Sequence, residues 1–248
     1  MEILTIRSGF DQLPAFYHSA KTASPNPLLV ICHGFCGSAD GGSSPQLAAT
    51  LLRYGISTLR FSFSPQRCLS QQIAEISAVI EHCRQCLSPE IALLGRSMGA
   101  AASLVFAAQD QKLAGLCLMA SPADLRSTFQ RILGADFTRL EQGNPLTVYH
   151  EKTPVNLTPA FIDDFNRYDL PLAASKLDRM PLLVIHGLED KTVPPSHGQQ
   201  LYAAALFPKQ LMLLPGVTHS FTGCADYFIP GLSDWLTQTV FPRTVSNN

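Results

Sequence analysis

The feature that most constrains the fold of this chain is a serine between two glycines, residues 95–99 (GRSMG). An apolar, strand-like run from Ile91 to Leu94 precedes it, and an alanine-rich, helix-like run from Ala100 to Ala108 follows it. A sharp turn from a strand into a helix strains the backbone of its central residue, and side chains two positions before and after would collide with the flanking elements. Glycine at both positions removes the collisions. The pattern predicts a strand–turn–helix unit that exposes the Ser97 hydroxyl at the carboxyl end of a strand.

Apolar runs of strand length alternate with helix-like segments along most of the chain. The run from Leu28 to Cys32 is apolar throughout, as expected of a strand that is covered on both faces. The alternation predicts an α/β fold with a mostly parallel central sheet of about eight strands flanked by helices, in a single domain over residues 1–248. We predict strands at 2–7, 13–19, 28–32, 56–63, 91–94, 113–119, 182–186 and 210–214, with an edge hairpin formed by the first two, and helices at 44–54, 71–86, 100–108, 198–206 and about 230–240.

Residues 121–180 break this alternation, because they are rich in Pro, Asn, Asp and aromatic residues. A stretch this long without a sheet strand predicts a small cap inserted over the strand ends, with a hairpin at 146–155 and a helix from Pro159 to about Tyr168. A surface excursion that serves only packing is the alternative. The aromatic residues of the cap either line a substrate pocket or form the cap's own core; they are Phe129, Phe137, Tyr149, Phe161, Phe165 and Tyr168.

Composition argues against several classes of partner. Hydrophobic residues make up 46% of the chain and charged residues 15%, as in a globular protein with a large core. The 18 Lys and Arg against 19 Asp and Glu give a formal net charge of −1 without a basic cluster, so neither nucleic acid nor an anionic membrane is an expected partner. No apolar run approaches the roughly 20 residues of a membrane span, and no secretion signal is recognised at the start. We therefore expect a cytoplasmic protein; its oligomeric state is left open.

Cysteine and histidine spacing predicts neither disulfides nor a metal site. The seven cysteines form no disulfide framework, so reduced, mostly buried thiols are expected, and Cys36 is expected to be a small packed side chain. No two histidines have the spacing of a zinc motif. His33 and His186 each precede a glycine at a strand end, and we expect them to orient loops by hydrogen bonding.

A serine hydroxyl is a weak nucleophile at neutral pH and needs a base, usually a histidine that a carboxylate orients. Asp190 lies just beyond the predicted strand 182–186, and His219 lies just beyond the strand 210–214. Because parallel strands end at the same edge of a sheet, the two side chains are predicted to meet Ser97 there. Asp124 and Glu189 are the alternatives for the acid and rank behind Asp190.

Four motifs together resemble those of compact serine α/β-hydrolases of the esterase, lipase and serine-aminopeptidase-like group, particularly small cinnamoyl or feruloyl esterase-like proteins. The order serine, acid, histidine is the order of that fold. The motifs are His33-Gly34-Phe35-Cys36-Gly37-Ser38, Gly95-Arg96-Ser97-Met98-Gly99, His186-Gly187-Leu188-Glu189-Asp190 and Gly216-Val217-Thr218-His219.

The resemblance implies a Ser97–His219–Asp190 catalytic triad and an oxyanion hole made of the main-chain N–H groups of Phe35 and Met98. It further implies a small-molecule ester as the substrate, cleaved through an acyl-enzyme without cofactor or metal.

Other interpretations of the same residues remain open. A thioesterase or a serine peptidase uses the same triad, and a peptidase needs carboxylates for the substrate amine, for which Glu141 and Glu151 are weak candidates. A non-catalytic hydrolase-like receptor is a rival from another class. At single positions, Ser97 is alternatively a helix-capping serine. Arg96 is expected to form an outward ion pair rather than a substrate contact.

Overall fold

The computed structural model describes residues 1–9, 11–20, 26–65, 67–150 and 153–242, and its centre is an eight-stranded sheet. The strands are β1 (Glu2–Ser8), β2 (Asp11–His18), β3 (Leu28–Cys32), β4 (Ser57–Phe61), β5 (Ile91–Arg96), β6 (Gly115–Met119), β9 (Leu182–Gly187) and β10 (Lys209–Leu214), while β7 (Leu146–His150) and β8 (Thr153–Leu157) form a separate hairpin.

The sheet has the spatial order β1-β2-β4-β3-β5-β6-β9-β10. The pairs β1–β2 and β2–β4 are antiparallel, and every later neighbour is parallel. Strands β3, β4 and β9 are buried at every residue, and this burial accounts for the apolar runs of β3 and β9. The predicted α/β class and mostly parallel sheet are confirmed.

Helices cover both faces of the sheet. They are α1 (Ser44–Leu52), α2 (Leu69–Cys86), α3 (Met98–Gln109), α4 (Leu125–Leu133), α5 (Ala135–Glu141), α6 (Pro159–Asp163) with a 3₁₀ turn (Asp164–Arg167), α7 (Leu170–Ser175), α8 (Pro195–Ala204) and α9 (Ala225–Trp235) with a π-helical turn (Leu236–Val240). Helices α1 and α9 pack on one face, and α2, α3 and α8 on the other. Helix α3 is buried over its first ten residues, and its alanines let it lie close to the sheet.

Two helices begin three or more residues before their predicted starts. Helix α9 begins at Ala225 and contains Pro230, which was predicted as its first residue. A proline removes one hydrogen bond from a helix, but burial of Phe228 and Ile229 on the sheet outweighs that loss here. Helix α8 begins at Pro195, where the missing N–H costs nothing because first-turn donors have no helical partner.

The inserted segment 121–180 contributes no strand to the main sheet among its described residues. The β7–β8 hairpin and the helix that starts at Pro159 lie where they were predicted, whereas α4, α5 and α7 were not predicted. Four of its aromatic residues, Phe129, Phe137, Phe161 and Phe165, are buried and form a core, while Tyr149 is 74% exposed. Glu151 lies outside the described residues.

The described residues hold neither a membrane helix nor a metal cluster. No helix there is long and apolar enough to cross a bilayer, and no group of three or more His, Cys, Asp or Glu could hold a metal ion. All seven cysteines are free; three are buried, three are half-buried and Cys86 is exposed, so fewer are buried than expected. Burial raises the pKa of the Cys36 thiol to about 11, which keeps it protonated.

Candidate active site

Ser97 occupies a strained turn between β5 and α3. Its backbone has φ 53° and ψ −123°, a region that residues other than glycine rarely adopt. Ser97 stands at the N-cap position of α3, yet its side chain makes no capping hydrogen bond. The helix-capping alternative is therefore wrong, and the hydroxyl is directed elsewhere.

The two flanking glycines are required by close contacts. A Cβ at Gly95 would stand 2.5 Å from the Cα of Ala100, inside the first turn of α3. A Cβ at Gly99 would stand 2.1 Å from the carbonyl oxygen of His33. Because real Cβ atoms do not approach other heavy atoms so closely, α3 can pack here only with glycine at both positions.

The imidazole of His219 bridges Ser97 and Asp190. Its Nδ1 lies 2.7 Å from Asp190 Oδ2, and its Nε2 lies 3.1 Å from Ser97 Oγ. An ionised carboxylate only accepts hydrogen bonds, so Nδ1 carries the proton and donates it to Asp190. Nε2 is then free to accept from the Ser97 hydroxyl, and the three predicted side chains form one hydrogen-bonded chain.

Asp190 is held ionised by its surroundings. Its side chain is fully buried, which raises the pKa, but hydrogen bonds from His186 and His219 and from the Val193 N–H outweigh burial and hold the pKa well below its usual range. Oδ1 accepts from the backbone N–H groups of Thr192 at 3.0 Å and Val193 at 2.8 Å. The carboxylate is thus fixed in orientation and remains an acceptor for His219.

The two alternative acids lie elsewhere. The Asp124 side chain accepts the N–H of Ser127 at 3.2 Å and caps α4. Glu189 is exposed, although it is the neighbour of Asp190 in the chain. Among the described residues, Asp190 is the carboxylate that hydrogen-bonds to His219.

The two main-chain N–H groups predicted for an oxyanion hole lie next to Ser97. Met98 follows Ser97 at the start of α3, and Gly34, which precedes Phe35, would place a Cβ 3.0 Å from the Cβ of Ser97. Within the described part of the chain, neither the Phe35 nor the Met98 N–H has a backbone partner. Both donors are therefore free for a ligand oxygen.

His33 orients the loop that carries Phe35. Its Nε2 accepts the N–H of Phe63 at 3.0 Å, so its Nδ1 carries the proton and donates to the Gly34 carbonyl at 2.8 Å. Burial lowers the pKa of His33 to about 4, so the ring is neutral at neutral pH. His186 has a similar part in the loop of Asp190, because its Nε2 donates to the Val193 carbonyl at 2.9 Å.

Ser97 and His219 open into a cavity of about 360 Å³, a size suited to a small molecule. Its walls include the His33–Ser38 loop and the Gly41–Ser44 turn before α1. A second cavity of about 370 Å³ adjoins the same loop on the side of the β7–β8 hairpin. The Gly41–Ser44 wall was not predicted, although two adjacent glycines before a helix start are a usable signal.

The inserted segment contacts the loop of Phe35 directly. The Phe35 ring packs on Phe129 and Phe161, with centroid distances of 5.1 and 5.7 Å. Phe165 completes the cluster, 5.0 Å from Phe129 and 5.1 Å from Phe161. The segment thus packs against Phe35, the residue whose main-chain N–H is predicted as an oxyanion donor.

The side chain of Arg96 makes a different interaction from the one predicted. Rather than forming an outward ion pair, its guanidinium Nη2 donates to the main-chain carbonyl of His219 at 2.9 Å, and the side chain lies on the wall of the 360 Å³ cavity. The direction depends on His219, which is 123 residues away in the chain, so no local pattern around Arg96 reports it.

Comparison with known proteins agrees with the fold. The family model described as the prolyl oligopeptidase family matches residues 64–220, more than half of the chain. An uncharacterized protein of Mycobacterium tuberculosis is 26% identical over 239 residues, which cover 92% of this chain and 76% of that protein.

Solved structures give closer matches in shape than in sequence. Est1E from Butyrivibrio proteoclasticus matches with a TM-score of 0.84 at 20% identity, covering 96% of this chain and 98% of its own, and it has also been solved with ferulic acid bound. The esterase domain of a Rhodothermus marinus protein matches with a TM-score of 0.76 at 18% identity, over 96% of this chain and 98% of its own.

Proposed function

Because the chain belongs to the prolyl oligopeptidase family and is a hydrolase of the α/β-hydrolase fold, we propose that it cleaves carboxylic esters by a serine mechanism. The observation that carries the proposal is the position of His219, 3.1 Å from Ser97 Oγ and 2.7 Å from Asp190 Oδ2. These distances suit proton transfer from the hydroxyl to a base that a carboxylate orients.

In the proposed reaction, Ser97 Oγ attacks the ester carbonyl while His219 Nε2 takes the hydroxyl proton. Asp190 stabilises the imidazolium that forms, and the N–H groups of Phe35 and Met98 donate to the oxyanion of the tetrahedral intermediate. The intermediate collapses, the C–O bond breaks, and the alcohol leaves with the proton from His219. Water activated by His219 then releases the acid and restores the free serine.

Three observations support an ester rather than a peptide as the substrate. Est1E has been solved with ferulic acid bound, and the Rhodothermus match is an esterase domain. The carboxylate of Glu141, a candidate for holding a peptide amine, pairs with Arg126. The inserted segment 121–180, as a cap, would then hold Phe35 beside the ester through the Phe129–Phe161–Phe165 cluster.

Peptide hydrolysis is the second candidate, because the family model is that of a peptidase family. It uses the same nucleophile, base and acid, so the geometry of Ser97 does not separate the two reactions. The experiment below also distinguishes a thioesterase from an esterase and a peptidase.

The test measures turnover of a p-nitrophenyl ester, an acyl-CoA and an aminoacyl p-nitroanilide by the full chain, its Ser97→Ala variant and a Ser175→Ala control. Ser175 lies on α7, where its hydroxyl donates to the Leu172 carbonyl. We expect hydrolysis of the ester above all, its loss in Ser97→Ala, and full activity in Ser175→Ala. Preference for the anilide would favour the peptidase, and turnover retained by Ser97→Ala would remove the serine mechanism.

A further inference from the structure

The guanidinium of Arg96 lies in the cavity of Ser97 without a carboxylate partner. It uses one donor, Nη2, on the main-chain carbonyl of His219. In the part of the chain that the structure describes, no Asp or Glu oxygen lies within ion-pair distance of it and no hydrogen bond satisfies Nη1. A guanidinium has five N–H donors, so most of its donor capacity is unused.

A partly buried cation of this kind needs a compensating charge. Water is largely removed from the guanidinium, and this burial lowers the pKa of Arg96, whereas the charge of Asp190 acts in the opposite direction. Asp190 is already hydrogen-bonded to His219 and to the N–H groups of Thr192 and Val193, and it makes no direct contact with Arg96. The charge of Arg96 therefore has no ion-pair partner among the described residues.

The cavity wall around Arg96 is suited to an anion. Its described lining includes no Asp or Glu side chain. Ser43 and Ser44 line the same wall, and no described residue hydrogen-bonds to either hydroxyl. Gly42 lies beside Arg96, where a Cβ would stand 3.4 Å from Nη1, so the Gly41–Ser44 turn reaches the guanidinium.

We propose that Arg96 binds an anionic group of the substrate, which makes the preferred substrate a carboxylic ester that carries a carboxylate in the same molecule. The inference rests on the proposed ester hydrolysis by Ser97 and narrows its substrate class. An arginine binds a carboxylate through charge-assisted hydrogen bonds, which are stronger than neutral ones. A purely anchoring Arg96, which only holds the His219 segment, is the rival explanation that the test must separate.

The first experiment compares matched charged and neutral esters with the unmodified chain. One pair, 4-nitrophenyl hydrogen adipate and methyl 4-nitrophenyl adipate, differs in charge on the acyl side; the other, 4-acetoxybenzoate and methyl 4-acetoxybenzoate, differs on the alcohol side. After subtraction of uncatalysed hydrolysis, we expect kcat/KM for the charged member of at least one pair to be higher by roughly tenfold or more, mainly through KM. Equal or faster hydrolysis of both neutral members would overturn the inference.

The second experiment assigns the preference to Arg96. In Arg96→Met the ratio of kcat/KM between charged and neutral ester should fall to about one, and Arg96→Lys should retain part of it. Arg53→Met, which removes an exposed arginine at the end of α1, is the matched control and should keep the full ratio. A uniform loss on both esters in Arg96→Met would mean an anchoring role only and would overturn the inference.

Failure of the proposed function has a different signature. In that case neither ester of a pair is hydrolysed and a fluorophosphonate probe leaves Ser97 unlabelled, which contradicts the substrate class as well. Labelling of Ser97 together with equal turnover of the paired esters contradicts the role of Arg96 alone. The comparison of esters by the unmodified chain needs no variant, so it stands even where Arg96→Met does not fold.

Discussion

The carbonyl oxygen of His33 lies directly against Gly99, so close that a Cβ at position 99 would stand 2.1 Å from it. This contact joins the first turn of α3, which follows Ser97, to the strand end that carries Phe35. The relative position of the nucleophile and the proposed oxyanion donors thus depends on the absence of one side chain.

Gly99→Ala should separate those two elements. Because the methyl group and the His33 carbonyl cannot both keep their places, the loop of Phe35 must shift away from Ser97, and a shift of about 1 Å is expected to cost roughly a hundredfold in kcat/KM. Ester turnover and urea denaturation would be measured together. Gly134→Ala is the control: its Cβ would meet nothing within 4 Å. It should lose about 1–3 kcal/mol of stability, because its φ of 55° and ψ of −127° lie in a region that residues other than glycine rarely adopt, and it should keep its activity. Full activity in Gly99→Ala would contradict the account.

Replacement of the acid should distinguish Asp190 from its alternative. Asp190→Asn leaves the shape of the site but no longer holds His219 in the tautomer that accepts from Ser97, so kcat should fall on the order of ten-thousand-fold. Asp124→Asn should keep its kcat and lose at most about 1 kcal/mol of stability, because that side chain caps α4. The reverse pattern of kcat values would make Asp124 the acid.

The stability of the protein should fall as the pH is lowered from 7.5 to 5, in part because of His33. Burial lowers the pKa of His33 from 6.5 to about 4 in the folded state. Between those values the unfolded chain binds more protons than the folded one, so the contribution of neutral His33 is complete above pH 6.5 and is lost as the pH falls towards 4. The part lost between pH 7.5 and pH 5 amounts to about 2 kcal/mol.

Urea denaturation at pH 7.5 and pH 5 measures this effect. His18 and His197 also have a lowered pKa, mainly through burial, and contribute in the same direction. The comparison with His33→Gln isolates the share of His33, because glutamine does not titrate in this range. The variant should lose about 2 kcal/mol less than the unmodified chain between the two pH values. An identical loss of unfolding free energy in both proteins would show that His33 is not responsible for it.

The aromatic cluster of the inserted segment should support both stability and turnover. Phe129 is 1% exposed and its ring packs on Phe35. Phe129→Ala leaves a cavity that should lower the free energy of unfolding by about 3–5 kcal/mol. It also loosens Phe35, whose main-chain N–H is a proposed oxyanion donor, so kcat should fall as well. Tyr149→Ala, at an exposed position of the same segment, should change stability by less than about 0.5 kcal/mol. Thermal unfolding and ester turnover of the two variants check this; an unchanged kcat in Phe129→Ala would separate the cluster from the site.

Much of the central sheet is predictable because buried parallel strands have continuous apolar sequences. Strands β3 and β9 are buried at every residue, and their sequences, LLVIC and LLVIHG, show it. The position of Asp190 follows from the same signal because it comes shortly after β9, whereas His219 follows β10, a largely apolar but mostly half-buried strand. Local patterns were therefore sufficient to predict that residues far apart in the chain lie close together in the fold.

Features that depend on distant packing were not predictable in the same way. Pro230 signals a helix start locally, but the apolar residues before it are buried on the sheet and extend α9 back to Ala225. The short helices α4 and α5 pack within the inserted segment and α7 packs on α3 and α8, and none of them is long enough to show an apolar periodicity over several turns. Arg96 turns towards His219 because of a carbonyl that only the fold brings near.

The most direct measurement of the central claim is the labelling of Ser97 by a fluorophosphonate probe, followed by intact mass and peptide mapping. The account predicts one adduct per chain, located on Ser97, in the folded protein. It also predicts none in Ser97→Ala and strongly slowed labelling in His219→Ala, where the base is missing. An unlabelled folded protein, or an adduct at another residue, would contradict the assignment of Ser97 as an activated nucleophile.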